Sequence, residues 1–428
     1  MNVSLQPYKG TRDFYPEDKT LQTWMFSKLR QVVQGFGYLE YDGPMLESFE
    51  LYAAKTGAEI VNQQLYSFLD RGERKVAIRP EMTPTLARMV AAKLAELPKP
   101  IRWFSIPNLW RYERPQKGRL REHWQLNVDV LGGDRLLADA EILTLALDLF
   151  SGFGAADSIS IRVNNRALMD HLFLKVLGLD EAKSGELAKA LDSRAKISPE
   201  SYLAWLEKIG LSPGAQKSLD EFLASDFTQV CAKFGCEGSE DLARLFATFS
   251  PEAARRVVFD ASIMRGMDYY TGTVFEAYDV SPENKRALFG GGRYDNLVGM
   301  FSGKQSLSGI GFGLGDVTLK DFLQTHNLIP KPAPLVDLFF VAPNAEALKV
   351  AQKLAQGLRA EGYRVITPLS IEGFGAQLKT ASKHGAAYAA LLGESELAAG
   401  QVALKNLSTG AQQLVAHRDL AGAIKAGV

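Results

Sequence analysis

Positive charge is concentrated in residues 111–122, which hold five basic residues against two acids, Glu113 and Glu122. The basic residues are Arg111, Arg114, Lys117, Arg119 and Arg121. Pro115 and Gly118 mark a turn inside the segment. Because an arginine guanidinium can bind two oxygens of a phosphate or carboxylate at once, the segment predicts an anion-binding hairpin. The alternative is a basic turn that meets only solvent.

A strict alternation of apolar and polar residues follows at residues 123–130. The apolar residues are Trp124, Leu126, Val128 and Val130, and the polar residues are His123, Gln125, Asn127 and Asp129. Successive side chains of a strand point to opposite faces, so the four polar side chains share one face. An antiparallel strand with one face in solvent has the same pattern. The polar face is therefore either solvated or a binding surface beside the basic hairpin.

The elements around this strand indicate a mixed α/β fold in a chain of 428 residues, which is long enough for two or three domains. Apolar residues at helical spacing predict helices over residues 18–36 and 84–97. Residues 166–255 are rich in Leu, Ala, Lys and Glu and predict a helical insertion. Strands are predicted again at residues 257–259 and 269–278, before glycine-rich segments at 290–292 and 309–315.

A proline-rich stretch, residues 329–335, predicts a stiff linker between a first domain (residues 1–328) and a second (residues 336–428). The second domain alternates strand and helix, which is typical of a three-layer α/β domain with a largely parallel sheet. Strands are predicted at residues 337–342, 363–367 and 387–392, helices at 345–361 and 377–384, and a hairpin at 401–415 before a last helix.

Net charge, cysteine content and the lack of long apolar runs limit the classes of protein to which the chain can belong. Lys+Arg and Asp+Glu both number 49, so global charge does not indicate a nucleic-acid partner, and any phosphate-binding surface must be local. Cys231 and Cys236 stand alone and predict neither a zinc site nor a disulfide framework, so no metal held by the protein is expected. Without an apolar run that resembles a signal peptide or a membrane span, we expect a cytoplasmic protein with no membrane partner.

The segment Arg111-Tyr-Glu-Arg-Pro-Gln-Lys-Gly-Arg-Leu-Arg121, with the strand after it, resembles motif 2 of the class II aminoacyl-tRNA synthetases. Further segments resemble the histidine-specific branch of that family, in the family's order. They are Lys9-Gly-Thr-Arg-Asp13, Arg79-Pro-Glu-Met-Thr83, Arg265-Gly-Met-Asp-Tyr-Tyr270 and Gly290-Gly-Gly-Arg-Tyr-Asp295. Residues 336–424 resemble the family's anticodon-binding domain, most closely at residues 374–385 and 404–410. A class II antiparallel sheet is the fold that this resemblance implies.

The resemblance implies that histidine is activated by in-line attack of its carboxylate on the α-phosphorus of ATP, with Mg²⁺ accompanying the nucleotide. Positioning and charge stabilisation dominate such a reaction. Arg114 and Arg265 are the implied catalytic residues, and both are expected to bind ATP together with Gly311, Gly313 and Gly315.

The implied histidine pocket must read both imidazole nitrogens, one of which donates while the other accepts. Asp129 is assigned to the donor nitrogen and Tyr270 to the other. The remaining implied contacts to histidine are Glu81, Thr83, Gln125, Tyr269 and Tyr294. A wrong side chain in such a pocket leaves buried polar groups unpaired, which gives strong discrimination.

The implied macromolecular partners are tRNA(His) and a second copy of the chain. The acceptor end of the tRNA is expected to meet Gln116, Lys117, Arg119 and Arg121, and the second domain is expected to meet the anticodon. Family resemblance around residues 42–50 implies a homodimer interface there.

The third class II motif departs from the family pattern. Gly309-Ile-Gly-Phe-Gly-Leu314 fits its strand, but Asp316 stands where an arginine is usual. A carboxylate reverses that charge. Lys320 lies four residues later on the same helix face, either to pair with Asp316 or to supply part of the lost positive charge.

Two other functions stand beside the synthetase. One is a histidine-sensing regulatory subunit of ATP phosphoribosyltransferase, a class that lacks the anticodon-binding domain and tends to lose the motif that contains Arg265. The other is a nucleic-acid-binding scaffold, which leaves the histidine motifs unexplained. This chain keeps both the anticodon-binding domain and the motif that contains Arg265, so the sequence favours the synthetase.

Overall fold

The computed structural model describes residues 4–53, 60–116, 118–194, 197–264, 270–284, 286–303, 306–331 and 333–427, without the side chains of residues 60, 62 and 302. Contacts divide the chain into two compact units, Met1–Ile329 and Pro330–Val428. The division falls in the proline-rich stretch, where prolines lack the amide donors that a helix or sheet uses. Each unit has its own sheet and its own hydrophobic core.

The strands, numbered along the chain, are β1 (Leu39–Glu40), β2 (Leu46–Ser48), β3 (Ser67–Leu69), β4 (Lys75–Ile78), β5 (Ile101–Ser105), β6 (Asn108–Trp110), β7 (Glu122–Leu131), β8 (Ile159–Asn165), β9 (Val257–Phe259), β10 (Thr273–Asp279), β11 (Phe289–Arg293), β12 (Gly309–Gly315), β13 (Val336–Val341), β14 (Val365–Ile366), β15 (Ala386–Leu391), β16 (Gln401–Asn406) and β17 (Gln412–Ala416).

The α-helices are α1 (Pro16–Gly35), α2 (Phe49–Ala53), α3 (Thr83–Ala92), α4 (Arg135–Ser151), α5 (Arg166–Asp170), α6 (Glu181–Ser193), α7 (Pro199–Ile209), α8 (Pro213–Ala224), α9 (Phe227–Phe234), α10 (Glu237–Phe246), α11 (Pro251–Ala254), α12 (Leu297–Ser302), α13 (Asp316–Thr325), α14 (Ala345–Ala360), α15 (Phe374–Lys383), α16 (Glu394–Ala399) and α17 (Leu420–Ala426). Short 3₁₀ helices cover Ala156–Ser158 and His417–Asp419, and π-helical turns cover Ile60–Gln64 and His171–Val176.

A large sheet organises the first unit, with the strand order β1-β5-β7-β12-β11-β10-β8-β9 and with β6 also paired to β7. Neighbours from β5 to β8 run antiparallel, whereas the two outer pairs, β1 with β5 and β8 with β9, are parallel. This is the antiparallel core that the family resemblance implies. A separate small sheet has the order β2-β4-β3.

The main core lies on one face of the large sheet, where α1, α4 and α13 cover the apolar side chains of β7. Leu126, Val128 and Val130 are buried there against residues such as Leu29 and Phe322. Burial of each such side chain contributes about 1.5–3 kcal/mol. The opposite face of β7 is half-buried at His123 and Gln125 and buried further along the strand, where Asn127 is 6% and Asp129 is 4% exposed. The interpretation of that polar face as a solvated one is therefore wrong for Asn127 and Asp129.

The predicted helical insertion is present between β8 and β9. Serine and aspartate residues begin its helices by accepting backbone hydrogen bonds, for example Asp180 before α6 and Ser198 before α7. Because Ile161 of β8 pairs with Val257 of β9, the insertion leaves and re-enters the sheet at neighbouring positions. Its buried side chains join the main core, which docks it on the helical face of the sheet.

Two predicted boundaries in the first unit were wrong. The helix predicted over residues 84–97 ends at Ala92, after which the Lys93 amide bonds to Val90 O and the chain turns. Proline at positions 98 and 100 disfavours helical backbone just before it. The strand predicted over residues 269–278 begins only at Thr273, and residues 265–269 lie outside the described part of the chain.

The second unit follows the predicted alternation closely. Its sheet has the order β14-β13-β15-β16-β17 and is parallel among the first three strands but antiparallel at both β15–β16 and β16–β17, so the prediction of a largely parallel sheet holds for only half of its strand pairs. Helix α15 begins at Phe374, three residues before the predicted start, and α16 was not predicted. Across the described residues of both units, no helix is long and apolar enough to cross a membrane. The cytoplasmic location stays a prediction.

Candidate functional site

The centre of the site is the polar face of β7, beside the glycines of β12. The register pairs Gly311 with Asp129 and Gly313 with Asn127. A Cβ atom on Gly311 would lie 2.2 Å from Asp129 Oδ1, and one on Gly313 would lie 2.7 Å from Gln125 Cδ. These glycines therefore give the polar side chains of β7 the space that they occupy. Their predicted contact with ATP remains a prediction.

Asp129 and Tyr294 form the most enclosed polar pair of this face. The Tyr294 hydroxyl donates a hydrogen bond to Asp129 Oδ1, and both side chains are less than 5% exposed. Burial raises the pKa of Asp129 to about 7, although the hydrogen bond from Tyr294 works in the opposite direction. Asp129 is therefore a hydrogen-bond acceptor that changes its protonation state near neutral pH.

Tyr270 reaches the same region from the segment before β10. Its ring lies against Gly292, where a Cβ atom would come within 2.9 Å of Tyr270 Cδ1. Tyr270 and Trp103 pack beside the buried Tyr294 in one cluster, which α3 and α12 cover. The structure therefore brings Tyr270, Tyr294 and Asp129 to one face, as the sequence predicted. The other residue predicted here, Tyr269, lies outside the described part of the chain.

The loop of residues 79–83 is fixed by an arginine that sequence reasoning did not assign. Arg79 is 4% exposed, and its Nη1 donates to Asp42 Oδ1 and to Gly43 O, each at 2.7 Å. Its Nε donates to Asn108 O at 3.0 Å. Glu81 and Thr83 are half-buried on this loop and at the first residue of α3.

Two arginines, Arg111 and Arg12, lie close enough to His123 for their charges to act on its ring, while Arg114 is exposed. Arg111 Nε donates to Pro80 O at 2.9 Å, which ties the β6–β7 hairpin to the loop that carries Glu81. Burial and then the charges of Arg111 and Arg12 lower the pKa of His123 to about 3, so its ring is neutral at physiological pH. Neither Arg111 nor His123 was assigned a role from sequence. Strand parity could have identified Arg111, because Leu109 lies opposite His123 and Arg111 is two residues further on.

The predicted catalytic residues are thus only partly placed by the structure. Arg114 lies in the hairpin between β6 and β7, and its side chain is exposed. Arg265 lies outside the described residues. Gly315, predicted to bind ATP, directly precedes α13 at the end of β12, next to Gln125 in the register.

The tip of the hairpin is a tight turn in which the Gln116 and Arg119 backbones bond to each other at 3.0 and 2.9 Å. Both of these side chains are exposed, as a contact to tRNA requires, while Lys117 lies outside the described residues. Arg121 differs from the expectation. It is 9% exposed, stacks over Tyr112 and donates to the Tyr8 hydroxyl at 2.8 Å. The guanidinium of Arg121 is therefore bound within the protein, and Arg121 stabilises the base of the hairpin.

Asp316 has a partner that the sequence did not predict. Arg12 Nη2 binds Asp316 Oδ2 at 2.8 Å, and the Trp124 amide donates to Asp316 Oδ1 at 3.0 Å. Burial raises the pKa of Asp316, and the Arg12 charge opposes that shift. Of the two roles considered for Lys320, pairing with Asp316 is not found among the described residues.

The chain is similar to known proteins over most of its length. The family model of histidyl-tRNA synthetase matches residues 10–317, and that of the anticodon binding domain matches residues 336–427. A histidine–tRNA ligase of Leptospira biflexa is 46% identical over 413 residues, 95% of this chain and 94% of that protein.

Solved structures show the same fold. The histidyl-tRNA synthetase of Nostoc sp. PCC 7120 superposes with a TM-score of 0.83 at 26% identity, over 99% of this chain and 100% of that one. A protein of Bacillus halodurans C described as an ATP phosphoribosyltransferase regulatory subunit/histidyl-tRNA synthetase superposes at 0.75 and 22% identity, over 92% and 100%. The second likeness concerns the fold alone. The family match over most of the chain and the 46% identity show that it belongs to the histidyl-tRNA synthetase family.

Proposed function

We propose that the chain is a histidine–tRNA ligase, which activates L-histidine with ATP and transfers it to the 3′ end of tRNA(His). The observation that carries this proposal is the buried Asp129–Tyr294 pair with Tyr270 beside it. An imidazole presents one N–H donor and one acceptor nitrogen, and a carboxylate with a tyrosine hydroxyl complements both. Glu81, Thr83 and Gln125 are proposed to bind the amino-acid end of histidine, and Tyr269 to line the pocket.

The activation step needs positive charge at the α-phosphate, where pyrophosphate leaves as the histidine carboxylate attacks. Arg265 and Arg114 are the residues first proposed for this role, and Arg111 joins them because its side chain lies on the face of His123. Oriented guanidiniums stabilise charge that develops in the transition state. ATP is the nucleotide substrate, and we propose that Mg²⁺ enters with its phosphates. Gly311, Gly313 and Gly315 are proposed to border the nucleotide.

Two surfaces are proposed to bind tRNA. The exposed Gln116 and Arg119 side chains, with Lys117 between them, are proposed to contact the acceptor end. The second unit is proposed to bind the anticodon, a role supported by the match of its residues 336–427 to the anticodon binding domain. Phosphate contacts release counterions, so binding of tRNA should weaken as salt rises.

A homodimer is proposed through residues 42–50, with β3 of the same small sheet as a further part of the interface. Met45 and Leu46 are 45% and 44% exposed, and Phe68 and Leu69 in the same small sheet are 49% and 65% exposed. By the register of the sheet, Leu46 and Phe68 lie on the same face, and exposed apolar side chains on one face indicate an interaction site. Sedimentation at micromolar concentration tests this, and a monomer there would contradict the proposed interface.

The regulatory-subunit alternative has less support, because it gives no role to a domain that binds anticodons. A single comparison separates the two functions: histidine-dependent exchange of labelled pyrophosphate into ATP, measured beside charging of tRNA(His). The ligase should carry out both reactions, whereas a regulatory subunit binds histidine and does neither. Asp129→Asn and Tyr270→Phe should each weaken histidine binding by about 1–3 kcal/mol with little change in ATP binding. Loss of ATP binding instead would place these residues at the nucleotide.

A further inference from the structure

Arg293 carries a buried positive charge on the face of the sheet opposite the histidine pocket. It precedes Tyr294, and because successive residues of a strand point to opposite faces, it projects toward α4. Its side chain is 2% exposed. Arg293 Nε donates to Asp139 Oδ1 at 3.0 Å, Nη2 also contacts that oxygen, and Nη2 donates to Arg135 O at 2.9 Å. The guanidinium is thereby tied to the first turns of α4.

The same guanidinium reaches the segments that border the pocket. Arg293 Nη1 donates to Ser308 Oγ and, at 3.2 Å, to Asp295 Oδ1. Asp295 Oδ2 accepts from the Thr271 hydroxyl at 3.0 Å, and the Asp295 amide donates to that hydroxyl at 3.1 Å. Ser308 directly precedes Gly309, whose carbonyl accepts from the Tyr294 amide at 2.7 Å.

Tyr270 is fixed through the same backbone. The amide of Thr271, the residue after Tyr270, donates to Arg293 O at 2.7 Å. Two residues after Thr271, the Thr273 hydroxyl donates to Asp139 Oδ2 at 2.6 Å. Asp139 therefore holds both Arg293 and β10. Tyr294 directly follows Arg293, and Tyr270 directly precedes Thr271, whose amide is bound to the Arg293 carbonyl.

The energetics favour a positioning role over a stabilising one. Replacing a buried ion pair by apolar residues of similar volume is often neutral or stabilising. A contribution to stability therefore does not by itself explain the Asp139–Arg293 pair. A fully bonded polar network instead restricts its members to one arrangement. Here that arrangement includes the Tyr294 hydroxyl at Asp129, an interaction that depends on backbone placement.

We propose that the Asp139–Arg293 pair is a positioning device for the histidine pocket, holding Tyr294 and Tyr270 at the distances that recognition of an imidazole requires. This inference rests on the proposed function, because it assumes that histidine occupies the pocket. Arg293 and Asp139 lie on the opposite face of the sheet from Asp129. They act through Tyr294, Thr271 and the start of β12.

The test uses the full-length protein with Asp139→Asn, which keeps the shape of the side chain and removes its charge. Thr273→Val is a milder second variant that removes one hydrogen bond to Asp139 and keeps a β-branched side chain. Asp279→Asn is the matched control. Asp279 is also buried, at the other end of β10, where it accepts from Asn284 and His326.

Calorimetry with L-histidine and with ATP, each alone, gives two affinities for every variant, and pyrophosphate exchange gives the matching KM and kcat. Asp139→Asn should raise the histidine Kd by about threefold to thirtyfold while the ATP Kd stays within about twofold. Thr273→Val should act in the same direction more weakly. Asp279→Asn should lower thermal stability with an unchanged histidine Kd, since a general loss of stability does not separate the two ligands.

Wild-type histidine affinity in both Asp139→Asn and Thr273→Val overturns the positioning role. So does an equal loss of histidine affinity in Asp279→Asn, because the effect then reflects general destabilisation. A wild-type protein that binds no histidine overturns the proposed function itself, and this outcome is visible before any variant is made.

Discussion

Arg12 and Asp316 form an ion pair of 2.8 Å between residues that are 304 positions apart in the sequence. Asp316 stands at the start of α13, where the family resemblance leads one to expect an arginine, and its side chain is only 3% exposed. The Trp124 amide adds a hydrogen bond of 3.0 Å to the same carboxylate. The N-terminal segment thus supplies a positive charge beside the position where the family's helix supplies its own.

The first prediction concerns this pair. Arg12→Ala should lower the free energy of unfolding by about 1–3 kcal/mol, because Asp316 then stays buried without its charged partner. Arg30→Ala is the control, since Arg30 and Glu40 form a pair whose side chains are 39% and 37% exposed, and it should cost less than about 1 kcal/mol. Urea denaturation measures both variants. Equal losses would mean that burial of Asp316 carries no penalty.

Asp129 predicts a pH dependence of stability in the ligand-free protein. Its folded-state pKa is about 7 and the ordinary value is 3.8, so the folded state binds this proton more tightly than the unfolded state does. The Asp129 contribution to stability is therefore fully present below about pH 4 and is lost as pH rises through 7. Asp129→Asn should be more stable than wild type at pH 8, by up to about 4 kcal/mol, and this advantage should vanish near pH 4. Unfolding at both pH values measures it; a constant difference would contradict the raised pKa.

The glycine of β12 that faces Asp129 should tolerate no side chain. Gly311→Ala places a Cβ atom 2.2 Å from Asp129 Oδ1 and 2.5 Å from Val128 O, so β7 or the carboxylate must shift. Histidine affinity, measured by calorimetry, should fall at least about tenfold, as expected when a pocket side chain moves by about 1 Å. Gly185→Ala in α6, where a Cβ atom meets nothing within 4 Å, should bind histidine normally. Normal binding by Gly311→Ala would show that the strand does not border the pocket.

The hairpin arginines should differ in their effect on adenylate formation. Arg111→Ala should slow histidine-dependent pyrophosphate exchange more than Arg114→Ala, because Arg111 lies on the face of His123 while Arg114 is exposed. Removal of one group that stabilises a transition state costs about 2.7–4 kcal/mol, and the same loss is predicted for Arg265→Ala. Arg265→Lys should rescue only partly, since an ammonium lacks the planar fork. A larger effect of Arg114→Ala would restore the assignment made from sequence.

Removal of the second unit should separate activation from charging. A chain that stops after Ile329 retains the first unit with its sheet and core, so pyrophosphate exchange should continue at a similar rate. Charging of tRNA(His) should weaken, because the proposed anticodon contact is lost. Circular dichroism of the shortened chain tests whether it is folded. Loss of exchange in a folded chain would show that the first unit is incomplete.

The sequence by itself determined many of the secondary-structure elements and the residues proposed for the site. Alternation in residues 123–130 predicted β7, the proline-rich stretch predicted the division after Ile329, and helical periodicity predicted the insertion between β8 and β9. These features depend on local spacing, and local spacing is a direct property of the sequence. Family resemblance assigned Asp129, Tyr270 and Tyr294 to one pocket.

Only the tertiary structure decided which partners these residues have. The burial of the polar face of β7 at Asn127 and Asp129 depends on elements from distant parts of the chain, among them α3 and α12, which pack around Leu131 and Tyr294. Arg121 is held by Tyr8, Asp316 by Arg12 and Arg293 by Asp139, and each pair spans more than 100 positions. Long-range contacts of this kind depend on how sheet and helices pack, and residue type alone does not distinguish an arginine that binds substrate from one that holds the fold.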